Sequence, residues 1–115
     1  MTKHSPDLDH LFMALSDPTR RAVLARLARG EATVGELASA HEMALPTFMA
    51  HLAKLERAGL IRTEKAGRVR RCMLVPGAFA PARGWLEDQR RLWETRLNQF
   101  DDYVTQLAED NGDDP

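Results

Sequence analysis

Apolar residues recur along this chain with helical spacing in five places. Leu8, Leu11, Phe12 and Leu15 follow the i, i+3, i+4, i+7 pattern of a helix that buries one side. In "SDPTRRAVLARLARG", Asp17 is placed to cap, Pro18 to open the helix, Val23, Leu24 and Leu27 to form its buried face, and Gly30 to end it. Thr33 and Glu36 have the spacing of a capping box and predict a short third helix. A brief polar break, "HEMA", leads into "LPTFMAHLAKLERAG", where Leu45, Phe48, Leu52 and Leu55 share one stripe until Gly59 supplies a left-handed cap. Beyond Gly59 the pattern changes: Ile61, Val69, Met73 and Val75 sit among charges around "KAGR", which predicts a two-stranded hairpin turning at Gly67. From about residue 82 a long helix spaces Leu86, Trp93, Phe100 and Leu107 by seven residues, with Leu97 and Val104 filling the seam.

The predicted class is mainly α with a small β-hairpin, in a single domain over residues 1–110 followed by an acidic disordered tail, 111–115. A heptad stripe with two large aromatics calls for a wide partner surface. The terminal helices are therefore expected to dimerise through Leu8, Leu11, Phe12, Leu86, Trp93, Leu97, Phe100 and Val104.

Charge alters this picture because it is segregated. The formal net charge is only -1, yet residues 101–115 carry six acids and no Lys or Arg. All 16 Lys and Arg and 11 of the 17 acids fall in the first hundred residues, a net of +5. The densest stretch is "IRTEKAGRVRRC", in the predicted hairpin. No apolar run approaches membrane-spanning length, and "MTKHSPDLDH" lacks the apolar core of a secretory signal. With one cysteine, Cys72, no intrachain disulfide can form. These features suit a cytoplasmic protein with no membrane partner.

Three helices, a tight turn, a longer helix, a basic hairpin and a terminal helix follow the order of a winged helix-turn-helix domain with five helices and a two-stranded wing. In such a layout the longer helix can enter a major groove while the hairpin reaches the neighbouring backbone. "ALSDPTRRAVLARLARGEATVGELA" followed by "LPTFMAHLAKLERAGLIRTEKAGRVRRCML" resembles the ArsR/SmtB family of bacterial transcriptional repressors, from about Leu11 to Val75. The tail "WLEDQRRLWETRLNQFDDYV" is similar to the dimerising helix of its non-metal-sensing branch. The resemblance implies a homodimeric regulator, usually a repressor, that binds double-stranded operator DNA.

Removing the core positions of the recognition helix leaves Pro46, Thr47, Ala50, His51 and Lys54 as candidate DNA contacts. Thr47 and Ala50 suit base edges, including the thymine methyl. Met49 fits either the core border or the groove wall. His51 is either hydrogen-bonded locally or in contact with phosphate, and the resemblance favours phosphate. Lys54 and the wing residues Arg62, Lys65, Arg68, Arg70 and Arg71 are expected on phosphates. Two departures from the family pattern stand out. Ala44 replaces the usual capping residue before Leu45, and Met49 and Ala50 are less polar than is common, which shifts weight towards DNA shape.

The sensor sites of metal-responding relatives are not matched. Thr33, Val34 and Gly35 stand where a Cys-x-Cys motif would, and the last helix contains no His. His4, His10, His41 and His51 show no paired metal spacing. No metal or cofactor is expected, and the effector is left unassigned. Arg70 and Arg71 would favour a Cys72 thiolate, although a half-buried structural residue fits the position too. No phosphate loop, activated nucleophile or spaced carboxylate pair argues for an enzyme. The alternatives are a metal- or thiol-responsive repressor with an atypical site, or a winged-helix module that binds protein through Trp85, Trp93 and Tyr103.

Overall fold

The computed structural model describes residues 6–112, which form two compact bodies, one reaching to Ala82 and one from Arg83 onward. In the first body, α1 (Pro6–Leu15), α2 (Pro18–Leu27), α3 (Val34–Ala38) and α4 (Leu45–Arg57) accompany strands β1 (Ala32–Thr33), β2 (Ile61–Ala66) and β3 (Val69–Leu74). The final helix, α5, runs from Ala80 to Gly112. It therefore includes the first two residues of the expected acidic tail, and 113–115 lie outside the described residues, as does His4.

Local chemistry sets the helix starts. The Asp17 carboxylate accepts the Arg20 backbone N–H at 3.2 Å, with Pro18 in the first turn where its missing N–H costs nothing. At α3 the capping box closes both ways: Thr33 Oγ1 accepts the Glu36 N–H at 3.0 Å, and Glu36 accepts the Thr33 N–H at 2.8 Å. Helix α4 has no side-chain cap at Ala44, as its sequence implied.

One buried cluster joins these elements. Leu11 and Ala14 of α1, Val23, Leu24 and Leu27 of α2, Leu37 of α3, and Phe48, Leu52 and Leu55 of α4 close over Ile61 and Cys72. Burial of each large apolar side chain contributes about 1.5–3 kcal/mol, so the three α4 residues anchor that helix firmly. His41, in the turn between α3 and α4, stacks on Phe48 with ring centroids 5.5 Å apart.

Three expectations need correction here. The sheet has three strands in the order β1-β3-β2, since Ala32 and Thr33 pair antiparallel with Cys72 and Arg71. Leu11, expected at a dimer seam, is 2% exposed because it fills the centre of its own domain, while Leu8 packs partly against that core and Phe12 is exposed. Leu45 does not extend the buried stripe of α4; it opens the helix one turn before Phe48 and is 57% exposed.

The hairpin turns at Gly67 and Arg68 between paired Ala66 and Val69. Gly67 has φ +65°, the left-handed value required at the first central position of a II′-type turn.

In α5, Leu86, Trp93, Leu97, Phe100, Val104 and Leu107 are all exposed and share the heptad seam. The seam position between Leu86 and Trp93 is Arg90, which ion-pairs with Glu87 and Glu94 on the same helix. Among the described residues, no helix is long and apolar enough to cross a membrane.

Candidate nucleic-acid interface

Helix α4 presents two faces. Phe48, Leu52 and Leu55 are buried, whereas Pro46, Thr47, Ala50 and Lys54 are exposed. At 100° per residue, Thr47, Ala50 and Lys54 lie opposite the core stripe, with His51 and Met49 on the two flanks. Met49 resolves towards the wing side. It lines a cleft of about 430 Å³ with Thr33, Val34, Gly35, Arg68, Val69 and Arg70. On the other flank Lys54 lines a cleft of about 300 Å³ with Arg57, His10, Met13, Ala14 and Arg20.

The wing residues divide by strand alternation. Ile61, Thr63 and Lys65 share one face with Leu74, Cys72 and Arg70, while Arg62, Glu64 and Ala66 share the other with Met73, Arg71 and Val69. The first face is the one turned to α4, since Thr63 Oγ1 donates to Glu56 of α4 at 3.2 Å. Arg70 in turn donates to Thr63 at 3.0 Å. Arg62 and Arg71 are on the outer face, where they pair with Glu64 at 3.7 Å and Glu31 at 3.1 Å. Lys65 and Arg68 make no ion pair among the described residues, which leaves their charges uncompensated. The five wing cations expected to act together are thus split: Lys65, Arg68 and Arg70 lie on the α4 side or at the tip, and Arg62 and Arg71 do not.

His51 sits in a cluster that its sequence neighbourhood did not announce. Arg20 is 5% exposed and donates from Nε to the Ala14 carbonyl at 2.8 Å and from Nη2 to the Met13 carbonyl at 3.0 Å. Its Nη1 donates to His51 Nδ1 at 2.9 Å, with the Asp17 carboxylate 3.8 Å from the same nitrogen. Burial works against the Asp17 carboxylate, but the backbone N–H groups of Arg20 and Thr19, with the Arg20 charge nearby, outweigh it and hold its pKa below the ordinary value. Arg21 instead donates to the Leu15 carbonyl at 2.8 Å. The partners of Arg20 come from the end of α1 and from α4, 31 residues away in the case of His51, so no local spacing signals them.

Of the two readings of Cys72 the structural one holds, with the side chain fully rather than half buried. Pairing with both Ala32 and Thr63 encloses it in the central strand, where it is 0% exposed. Burial pushes its thiol pKa up, Glu56 adds to the rise, and Arg70 only partly opposes it, so a favoured thiolate is overturned. Arg71 points to the opposite face of the sheet. Among the described residues, no group of three or more His, Cys, Asp or Glu is placed to hold a metal ion.

A three-helix core, a recognition helix with one bare face and a basic hairpin beside it define a winged helix-turn-helix protein. The sequence signature described as "Helix-turn-helix domain" matches residues 15–64. The chain is similar to the HTH-type transcriptional regulator Rv2034 of Mycobacterium tuberculosis, 37% identical over 98% of this chain and 97% of that protein. It is also similar to an ArsR family transcriptional regulator of known crystal structure, with 52% identity, a TM-score of 0.77, and coverage of 82% of this chain and 97% of that one. A homodimeric winged helix-turn-helix DNA-binding domain from Mycobacterium bovis, Mb0332, matches at 25% identity and a TM-score of 0.59, over 80% of this chain and 94% of its own. The chain belongs to the ArsR family of transcriptional regulators, a family of regulators rather than of enzymes.

Proposed function

We propose that this regulator is a homodimeric repressor that binds double-stranded operator DNA in the cytoplasm through α4 and the wing, and that residues 1–110 act as one DNA-binding and dimerisation unit. The carrying observation is the exposed face of α4, with Thr47, Ala50 and Lys54 held outward by a buried Phe48–Leu52–Leu55 stripe beside the uncompensated charges of Lys65 and Arg68. Thr47 and Ala50 meet base edges, and Lys54, Lys65, Arg68 and Arg70 meet phosphates and set orientation. Pro46 lies in the first turn, where uncapped backbone N–H groups suit a phosphate. Arg62 and Arg71, already paired on the far face of the wing, contribute less.

The exposed α5 seam joins a second copy of the chain. The homodimeric Mycobacterium bovis domain supports this assembly, as does the size of the apolar stripe. A dimer with two recognition helices reads two half-sites about one helical turn, roughly 34 Å, apart.

Selection of bound duplex fragments followed by footprinting tests this reading, with two protected half-sites about one turn apart as the expected pattern. Log affinity should fall with log salt by about 0.9 for each phosphate neutralised. A flat salt dependence would replace the reading with a protein-binding winged helix.

A further inference from the structure

We infer that His51 meets the DNA backbone as a neutral imidazole that donates from Nε2–H, its ring fixed by the buried Arg20. The inference rests on the reading of α4 as the DNA-facing helix. A guanidinium has donors only, so the 2.9 Å bond from Arg20 Nη1 makes His51 Nδ1 the acceptor. The proton of the neutral ring therefore sits on Nε2.

Nε2 has no partner among the described residues: the hydrogen bond of His51 is at Nδ1, from Arg20, and the Asp17 carboxylate lies 3.8 Å from that same nitrogen without a bond to it. Among the described residues no fully buried side-chain nitrogen or oxygen lacks a partner, so Nε2 reaches solvent. It does so from a helix position one turn after Thr47 and nearly one turn before Lys54, on the rim of the proposed DNA face.

Arg20 cannot readily give way. Its two other bonds tie it to the Met13 carbonyl, which Ser16 also serves, and to the Ala14 carbonyl, whose helical donor position is taken by Pro18 and its missing N–H. Asp17 caps α2 through the Arg20 N–H and faces the same ring nitrogen of His51. Protonation of Nδ1 would break the Arg20 bond, so this geometry holds only with a neutral ring. Arg20 is in these terms a positioning residue, and His51 supplies a direction-specific hydrogen bond rather than a charge.

A neutral donor and a cation leave different signatures. Loss of a cation on a phosphate lowers the salt slope by about 0.9, whereas loss of a neutral donor weakens binding and leaves the slope unchanged. On a footprinted operator duplex at about pH 8, above the usual imidazole range, His51→Asn keeps an acceptor for Arg20 but removes the outward donor. It should bind roughly tenfold more weakly with an unchanged slope. His51→Gln, whose amide nitrogen reaches the Nε2 position, should recover most of that loss. Lys54→Ala is the control that lowers the slope. In the free wild-type protein, imidazole nitrogen NMR should show the proton on Nε2.

Wild-type affinity in His51→Asn, a slope reduced as in Lys54→Ala, or a proton found on Nδ1 would each overturn the inference while leaving α4 on the DNA. Wild-type protein whose duplex binding ignores salt would remove the DNA reading and this inference with it.

Discussion

Glu36 shows how a single side chain can carry both a helix start and a pH dependence. The Thr33 backbone N–H and hydroxyl hold its carboxyl below the ordinary carboxylate pKa, so the folded state favours the ionised form. Its contribution is then fully present above the unfolded-state value, about 4.3, and is lost as pH falls below it. In Glu36→Gln the amide oxygen still accepts the Thr33 N–H but nothing titrates. The variant's urea midpoint should fall less steeply than that of the wild type as pH is lowered below about 5, and parallel curves would remove Glu36 as a source of acid sensitivity. Arg20 makes a sharper case because it is buried. Arg20→Met should destabilise the fold by about 1–3 kcal/mol, as the buried Ala14 carbonyl loses its donor, whereas the Met13 carbonyl keeps the Ser16 N–H and hydroxyl. Urea unfolding measures this, and a loss under about 1 kcal/mol would mean that water replaces the guanidinium. The capping box was legible from Thr33 and Glu36 because both partners lie within one helical turn. The Arg20 node was not, because its meaning depends on α4 packing against the end of α1.

Among the elements, the wing separates residues that look equivalent in sequence. "GRVRRC" offers three arginines, but strand alternation sends Arg70 towards α4 and Arg71 away from it, and Arg71 is paired with Glu31. Single replacements should therefore differ. Arg68→Ala and Arg70→Ala should each lower the salt slope by about 0.9, whereas Arg71→Ala should leave it nearly unchanged. Equal slopes for all three variants, from affinity titrations across a salt series, would show that the wing reorients on DNA. The four helices of the first body were readable from apolar period and caps, and the hairpin from Gly67. Strand β1 was not, since two residues carry no period of their own and become a strand only through pairing with β3. That pairing also explains Cys72: a central strand encloses what a two-stranded hairpin would leave half open.

For the whole molecule, the decisive feature is the exposed seam of α5. Trp93, Leu97 and Phe100 are each more than half exposed, an apolar display far larger than scattered surface hydrophobes require. The seven-residue period made this stripe legible in sequence, because a coiled-coil seam needs no tertiary information beyond its own spacing. Arg90 interrupts it at an inner heptad position, already paired with Glu87 and Glu94, and a polar residue there favours one register at a cost in stability. Operator affinity should then depend on assembly, because a dimer places two recognition helices at once and a monomer only one. Trp93→Asp puts a charge in the middle of the seam and should convert a dimer in sedimentation velocity to a monomer. Its domain should stay folded, since Trp93 lies outside the buried cluster of the first body. Operator binding by this variant should weaken by at least about a hundredfold, with the footprint shrinking to a single half-site at high protein concentration. A variant that remains dimeric would move the interface off this stripe, and a monomer with full affinity would separate DNA recognition from assembly altogether.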